Sequence, residues 1–201
     1  MLGVEEHERS SSQVSIRPEA PTADGDVVTE VLRDAFGGPE EAALVKALRS
    51  GSAGAFYPEL ALVATMKNEE KDAETIVGYI SFSRAEVLDS SGRACGHVLA
   101  LAPVAVSPRF QRRGIGSQLI RHALAIVRRD QERYPLAVVV VGHAEYYPKF
   151  GFKPARQFGL EAPFPVDDES FMVLEVKEGI LSSGAAPRGL LRYAPAFATV
   201  S

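Results

Sequence analysis

The chain contains no tryptophan and a single cysteine, Cys95. One cysteine closes no internal disulfide and cannot build a cysteine zinc cluster. It suits a reducing compartment, and the expectation is a cytoplasmic protein. No apolar run approaches the roughly 18 residues of a membrane-spanning helix. The first residues, MLGVEEHERSSSQ, are too polar and acidic for a signal peptide, so residues 1–12 are read as a disordered tail. A basic excess is missing as well: the net charge is −4 and the pI is near 5.6. No overall field would recruit nucleic acid, although a local basic cluster could still hold a small anion. No His/Asp/Glu spacing suggests a metal, and no repeat or low-complexity linker divides the chain.

What is present is a soluble globular balance, 46% hydrophobic and 24% charged over 201 residues. That is enough to fill one core. A mixed α/β domain is expected over residues 13–177, followed by a C-terminal segment, 178–201, packed on it and showing little regular pattern. VSIRP opens the domain as a strand. TADGDVVTEVLRDAFGG reads as a helix, capped by Thr22 or Asp24 and stopped by Gly37 and Gly38. PEEAALVKALRSG is a second helix, with Pro39 at its start and acids in its first turn. ELALVATMK and ETIVGYISFSRAEVL read as strands across the charged turn NEEKDA. GHVLALAPVAVSP is a nearly all-apolar strand, as expected at a sheet centre. A helix follows over about Arg112–Arg129, then the buried strand PLAVVVVG and a last strand, SFMVLEV.

The stretch FQRRGIGSQLI, between the central strand and that helix, carries chemistry. The helix has an apolar stripe of Ile115, Leu119, Ala123 and Val127, with Ile120 and Leu124 beside it, which packs on the sheet. Its first turn leaves backbone N–H groups without partners. Gly114 and Gly116 lack a Cβ there, so a ligand can approach the backbone. Arg112 and Arg113 stand where the helix dipole disfavours cations unless an anion is bound. The stretch therefore reads as an anion site. It is not a P-loop, because no Lys-Ser or Lys-Thr follows the glycines. Nor is it a dinucleotide fingerprint, because position 119 is Leu.

Gln111 to Gly116, Q-R-R-G-I-G, instead resembles the [QR]-x-x-G-x-[GA] motif of the GNAT acetyltransferase superfamily. A second segment, AEYYPKFGF, resembles that family's Y-x-x-x-G-F, with Tyr147 at the tyrosine position and Tyr146 as its neighbour and rival. The form YYPKFGF, together with the late GLLRYAPAF, resembles one branch of predicted N-acetyltransferases. The resemblance implies the GNAT fold: a mixed, mostly antiparallel central sheet, splayed between its fourth and fifth strands and flanked by helices. It implies acetyl-CoA as cosubstrate and an amine as the other substrate. It assigns coenzyme contacts to Val104, Ala105 and Val106 through their backbone, and to Gln111, Arg112, Arg113, Gly114, Ile115, Gly116 and Ser117 around the pyrophosphate. It makes Tyr147 the acid that protonates the leaving thiolate.

Two features depart from the family. No asparagine follows the fifth strand, where VVVVGHAEYY stands, and Ala100 occupies the place of a central-strand glutamate base. His97 and His143 are candidate bases by their pKa range, though each also suits a polar strand end. Glu86 and Asp89 suit either an acceptor site or a solvated turn. The reading is acetyl-CoA-dependent N-acetylation of a primary amine by direct attack. A coenzyme A sensor of the same fold and a longer-chain acyltransferase stay open. No nucleic acid or membrane partner is expected, and a homodimer is compatible with the sequence.

Overall fold

The computed structural model describes residues 14–51, 55–68, 73–183 and 186–199. The expected tail over residues 1–12 lies outside the described residues. In order, the elements are β1 (Val14–Pro18), α1 (Pro21–Phe36), α2 (Glu40–Ser50), β2 (Leu62–Asn68), β3 (Ala73–Leu88), β4 (Ala94–Val106), α3 (Ile115–Arg129) and β5 (Ala137–Val141). Four shorter strands follow: β6 (Lys153–Pro154), β7 (Leu160–Glu161), β8 (Phe171–Glu175) and β9 (Gly189–Arg192).

The strands form one sheet in the order β1-β2-β3-β4-β5-β8-β6. Alternation along the strands serves two helical layers. In β2, Leu62 and Ala64 join the core under α3, while Val63 joins the core under α1 and α2. From α3, Ile115, Leu119, Ile120, Ala123, Leu124 and Val127 are buried, so the apolar stripe meets the sheet as its spacing requires. No helix among the described residues is long and apolar enough to cross a membrane.

Two local readings are corrected. Neither Thr22 nor Asp24 caps α1; Ala20 precedes the helix, and Pro21 takes its first turn. Asp24 instead turns back, accepting from the Ala20 N–H at 2.7 Å and from both Arg17 guanidinium nitrogens at 2.7 and 3.0 Å. The Arg17 hydrogen bonds hold its carboxyl below the usual carboxylate range. Second, α3 begins at Ile115 rather than at Arg112, because Arg112 (φ 61°) and Gly114 (φ 81°) adopt left-handed backbone that no α-helix accommodates. The arginines belong to the loop.

The geometry of β4 positions the site. It pairs antiparallel with β3, but Ile80 faces Val104 while Phe82 faces Leu101. Ala102 and Pro103 thus stand against Ser81 alone, a bulge that bends the strand. The buried Ser81 hydroxyl donates to the Ala102 carbonyl at 3.1 Å and holds it there. On its other edge β4 pairs with β5 in parallel only at Leu99–Val138 and Ala100–Val139. Beyond them β5 stays with β8 up to Val141, while β4 continues to Val106 with its β5 edge unpaired. The sheet therefore splits between its fourth and fifth strands.

The C-terminal segment contributes a strand that its sequence pattern does not announce. Leu190, Leu191 and Arg192 of β9 pair with Leu88, Val87 and Glu86 of β3, and β7 joins β9 in parallel. Four residues, the first a glycine, are too short for a readable two-residue alternation.

Candidate active site

A cavity of about 880 Å³ opens where the split between β4 and β5 meets the start of α3. Its floor is Leu101 to Val104 and Val106 from β4; one side is the loop and first turn, Gln111, Arg112, Gly114, Ile115, Gly116 and Ser117. The other side is Val141, Gly142, His143, Tyr146, Tyr147 and Lys149. Of the residues that the resemblance assigns to the coenzyme, Val104, Val106, Gln111, Arg112, Gly114, Ile115, Gly116 and Ser117 are brought together on this wall. Ala105 points into the core under α1 instead. Arg113 does not line the cavity; its guanidinium lies over the Phe110 ring, 5.3 Å from the centroid.

The loop is shaped for an anion. No side chain caps α3, and the hydrogen bond at its start runs from the Gln118 N–H to the Gly114 carbonyl at 3.0 Å. The first-turn amides are free to donate outward, with the positive end of the helix dipole behind them. Gln111 ties the loop to β4 by donating its side-chain amide to the Val106 carbonyl at 3.0 Å. A Cβ on Gly116 would stand 2.9 Å from the Tyr146 hydroxyl and 3.6 Å from Val106. The narrow approach to the amides survives only without that carbon.

The two tyrosines take different places. The Tyr146 hydroxyl lies 3.4 Å from the Ser117 hydroxyl at the helix start, and the Lys149 ammonium sits 3.7 Å over its ring. Tyr147 is buried, set edge-on against Tyr146 at 5.2 Å and Phe152 at 5.6 Å. Its ring covers Gly142 so closely that a Cβ there would collide with it. Its hydroxyl bonds to no described residue, yet the residue lines the cavity. Burial, and then the neighbouring Tyr146, push its pKa up to about 12. The phenol therefore stays protonated through the neutral range and keeps its O–H as a donor.

The candidate bases separate. His143 lines the cavity, exposed. His97 does not; it meets the Arg84 guanidinium at 3.2 Å, and burial, then that cation, lowers its pKa. Glu86 accepts both an Nε and an NH2 hydrogen bond from Arg192, at 2.8 and 2.5 Å. Asp89 accepts from the Ser91 and Arg93 amides inside its own turn. Sequence reasoning missed Glu41 and Phe36, which reach the cavity from α2 and the end of α1, and Phe197 from the C-terminal segment. Nothing local marks them: Glu41 looks like an ordinary acid of a helix's first turn.

The comparisons agree with this geometry. Residues 26–152 match the model of the acetyltransferase (GNAT) family. The chain is 35% identical over 148 residues to the uncharacterized N-acetyltransferase YjhQ of Escherichia coli K12, covering 73% of this chain and 75% of that protein. It is 29% identical over 178 residues to the uncharacterized N-acetyltransferase YhbS of the same strain, covering 89% and 95%. Among solved structures, E. coli YhbS in complex with CoA superposes with a TM-score of 0.77 at 28% identity, covering 97% of each chain. A GNAT family acetyltransferase from Brucella melitensis in complex with acetyl-CoA gives 0.66 at 28% identity, covering 92% of this chain and 99% of that one. A sheet split between β4 and β5, an uncapped glycine loop at α3 and a family match over most of that span lead to one conclusion: this chain belongs to the GNAT acetyltransferase family.

Proposed function

We propose that the protein transfers the acetyl group of acetyl-CoA to a primary amine by direct attack, with both substrates bound together. One observation carries the reading. The unpaired edge of β4 and the uncapped amides of α3 line the same cavity, next to a phenol that stays protonated and can donate. The relatives solved with CoA and acetyl-CoA support the choice of cosubstrate.

The residues present fit acetyl-CoA, which supplies the activated acyl group. The amides of Ile115, Gly116 and Ser117 would hold its pyrophosphate, with Arg112 adding charge from the loop. Val104 and Val106 would offer backbone groups along the edge that β5 leaves unpaired, keeping the thioester carbonyl polarised and aligned. Tyr147 would donate its hydroxyl to the sulfur as the carbon–sulfur bond breaks. The proton shed by the amine goes to water. We treat residues 13–177 and the segment 178–201 as one working unit, because β9 extends the sheet and Phe197 reaches the cavity.

The test is coenzyme release from acetyl-CoA against a broad amine panel, alongside calorimetric titration of acetyl-CoA. Micromolar binding with amine-dependent release is expected. Binding without turnover on any amine would replace the enzyme with a coenzyme sensor, and absence of binding would refute the site.

A further inference from the structure

A second cavity, about 1040 Å³, lies beyond the split and shares with the first Glu41, Leu101, Ala102, Val141 and Phe197. The two meet where β4 and β5 part. Its wall is apolar: Leu88, Val139, Leu190, Phe164, Tyr193 and Phe197. The rings of Phe164 and Tyr193 stack at 6.0 Å and 21°, and Phe197 lies 4.9 Å from Tyr193. Among the described residues, four of the five large apolar side chains exposed at the surface (Phe36, Val141, Phe164 and Leu190) line one or both cavities. Apolar exposure gathered at a cavity mouth, rather than scattered, marks a binding surface.

The charges in this second cavity are few. Glu41 is the carboxylate that lines it, and among the described residues that carboxylate makes no ion pair or hydrogen bond. The lone cation among the described residues of its wall, Arg192, is held by Glu86 at 2.8 Å. Among the described residues the cavity thus presents one unpaired carboxylate, Glu41, at the shared wall, and an aromatic surface formed by Phe197 on that wall with Phe164 and Tyr193 beyond it.

We infer that this cavity takes the acetyl acceptor, a primary amine whose ammonium is drawn to Glu41 and whose body is an apolar aromatic group packed on Phe164, Tyr193 and Phe197. The assignment rests on the acetyl-transfer reading above. Charge complementarity fixes the sign of the reacting end, because a cation gains from an unpaired carboxylate at low dielectric. The position fixes its direction, since Glu41 borders both cavities and brings the nitrogen to the place where they join. The aromatic wall fixes the body, because rings gain from stacked and edge-on contacts beyond their area. An amino acid with a free carboxylate fits poorly: its anion would face Glu41 and find no unpaired cation. A polyamine would find one unpaired carboxylate among the described lining residues, so its further ammonium groups would give up hydration for cation–π contact alone.

The test uses 2-phenylethylamine, ethylamine, phenylalanine and spermidine with acetyl-CoA. Expected is a kcat/KM for 2-phenylethylamine at least tenfold above each of the others. Glu41→Gln should raise the KM for 2-phenylethylamine at least tenfold and leave that for acetyl-CoA within twofold. Phe164→Ser changes an exposed side chain, so it should fold, and the preference for 2-phenylethylamine over ethylamine should fall to within threefold. Saturation-transfer NMR of 2-phenylethylamine with coenzyme-free protein reads the same cavity without turnover, so it decides this inference even if acetyl-CoA fails to bind and the acetyl-transfer reading falls. Spermidine or phenylalanine as the better substrate, equal KM shifts for both substrates in Glu41→Gln, no NMR contact, or a dimer that buries Phe164 and Leu190 would each overturn it.

Discussion

Replacing Tyr147 by phenylalanine removes one oxygen from a ring that is otherwise fixed. Phenylalanine keeps the edge-on contacts with Tyr146 and Phe152 at 5.2 and 5.6 Å, and the lost hydroxyl bonds to no described residue. Stability should therefore change by less than about 0.5 kcal/mol, as for a near-isosteric substitution that breaks no internal hydrogen bond. Acetyl-CoA affinity should hold within about threefold, because the anion contacts belong to the α3 loop. The rate should not hold. A phenol raised to about 12 is a weaker acid than a thiol near 8.5, so full proton transfer would be uphill, and the role we propose for the hydroxyl is to donate to charge as it develops on sulfur. Loss of one such donor costs roughly 10²-fold in rate, or about 2.7 kcal/mol. The assay is single-turnover acetyl transfer, with Tyr146→Phe as the comparison. The Tyr146 hydroxyl stands at Ser117, by the phosphate end, so its loss should weaken coenzyme binding a few-fold and spare the chemical step. A large rate loss in Tyr146→Phe with none in Tyr147→Phe would exchange their roles; small losses in both would remove tyrosine from the mechanism.

Three further outcomes are expected. Gly116→Val should weaken acetyl-CoA at least tenfold by calorimetry, about 1.4 kcal/mol, because its Cβ would stand 2.9 Å from the Tyr146 hydroxyl; unchanged affinity in a folded variant would refute the phosphate loop. Arg112→Ala should lose more coenzyme affinity at low salt than Arg113→Ala, since Arg112 lines the cavity and Arg113 lies over Phe110; equal losses that ignore ionic strength would contradict charge as the cause. Alkaline stability should decline in a defined window. Burial raises both Tyr79 and Tyr147 to about 12, above the ordinary 10 of an unfolded phenol. Their contribution is complete below pH about 10 and is lost as pH rises toward about 12, at up to about 1.4 kcal/mol per pH unit for each. Urea unfolding across that range should show the fall, and Tyr147→Phe should remove its share of the slope.

The sequence by itself determined the features that depend on neighbours along the chain. The four-residue spacing of Ile115, Leu119, Ala123 and Val127 makes α3 a helix with one buried face whatever lies beneath it. Gly114 and Gly116 mark a loop with an accessible backbone, because backbone freedom is a local property. The apolar runs of β4 and β5 identify buried strands for the same reason. The sequence pattern extends α3 back to Arg112, whereas the helix starts at Ile115, because a positive φ on a non-glycine residue carries no sequence signal. Only the tertiary structure decided what depends on partners distant in the chain. The family resemblance implies a split between β4 and β5, but its place is set by pairing, because β5 follows β8 while β4 bends at Ala102 and Pro103. Tyr146 and Tyr147 are adjacent and chemically alike, and folding buries one over Gly142 and sets the other beside Ser117. Glu41 and Phe197 come to the site because α2 packs beside the last turn of the chain. A carboxylate becomes a recognition group only when folding sets it, unpaired, at the rim of an apolar cavity.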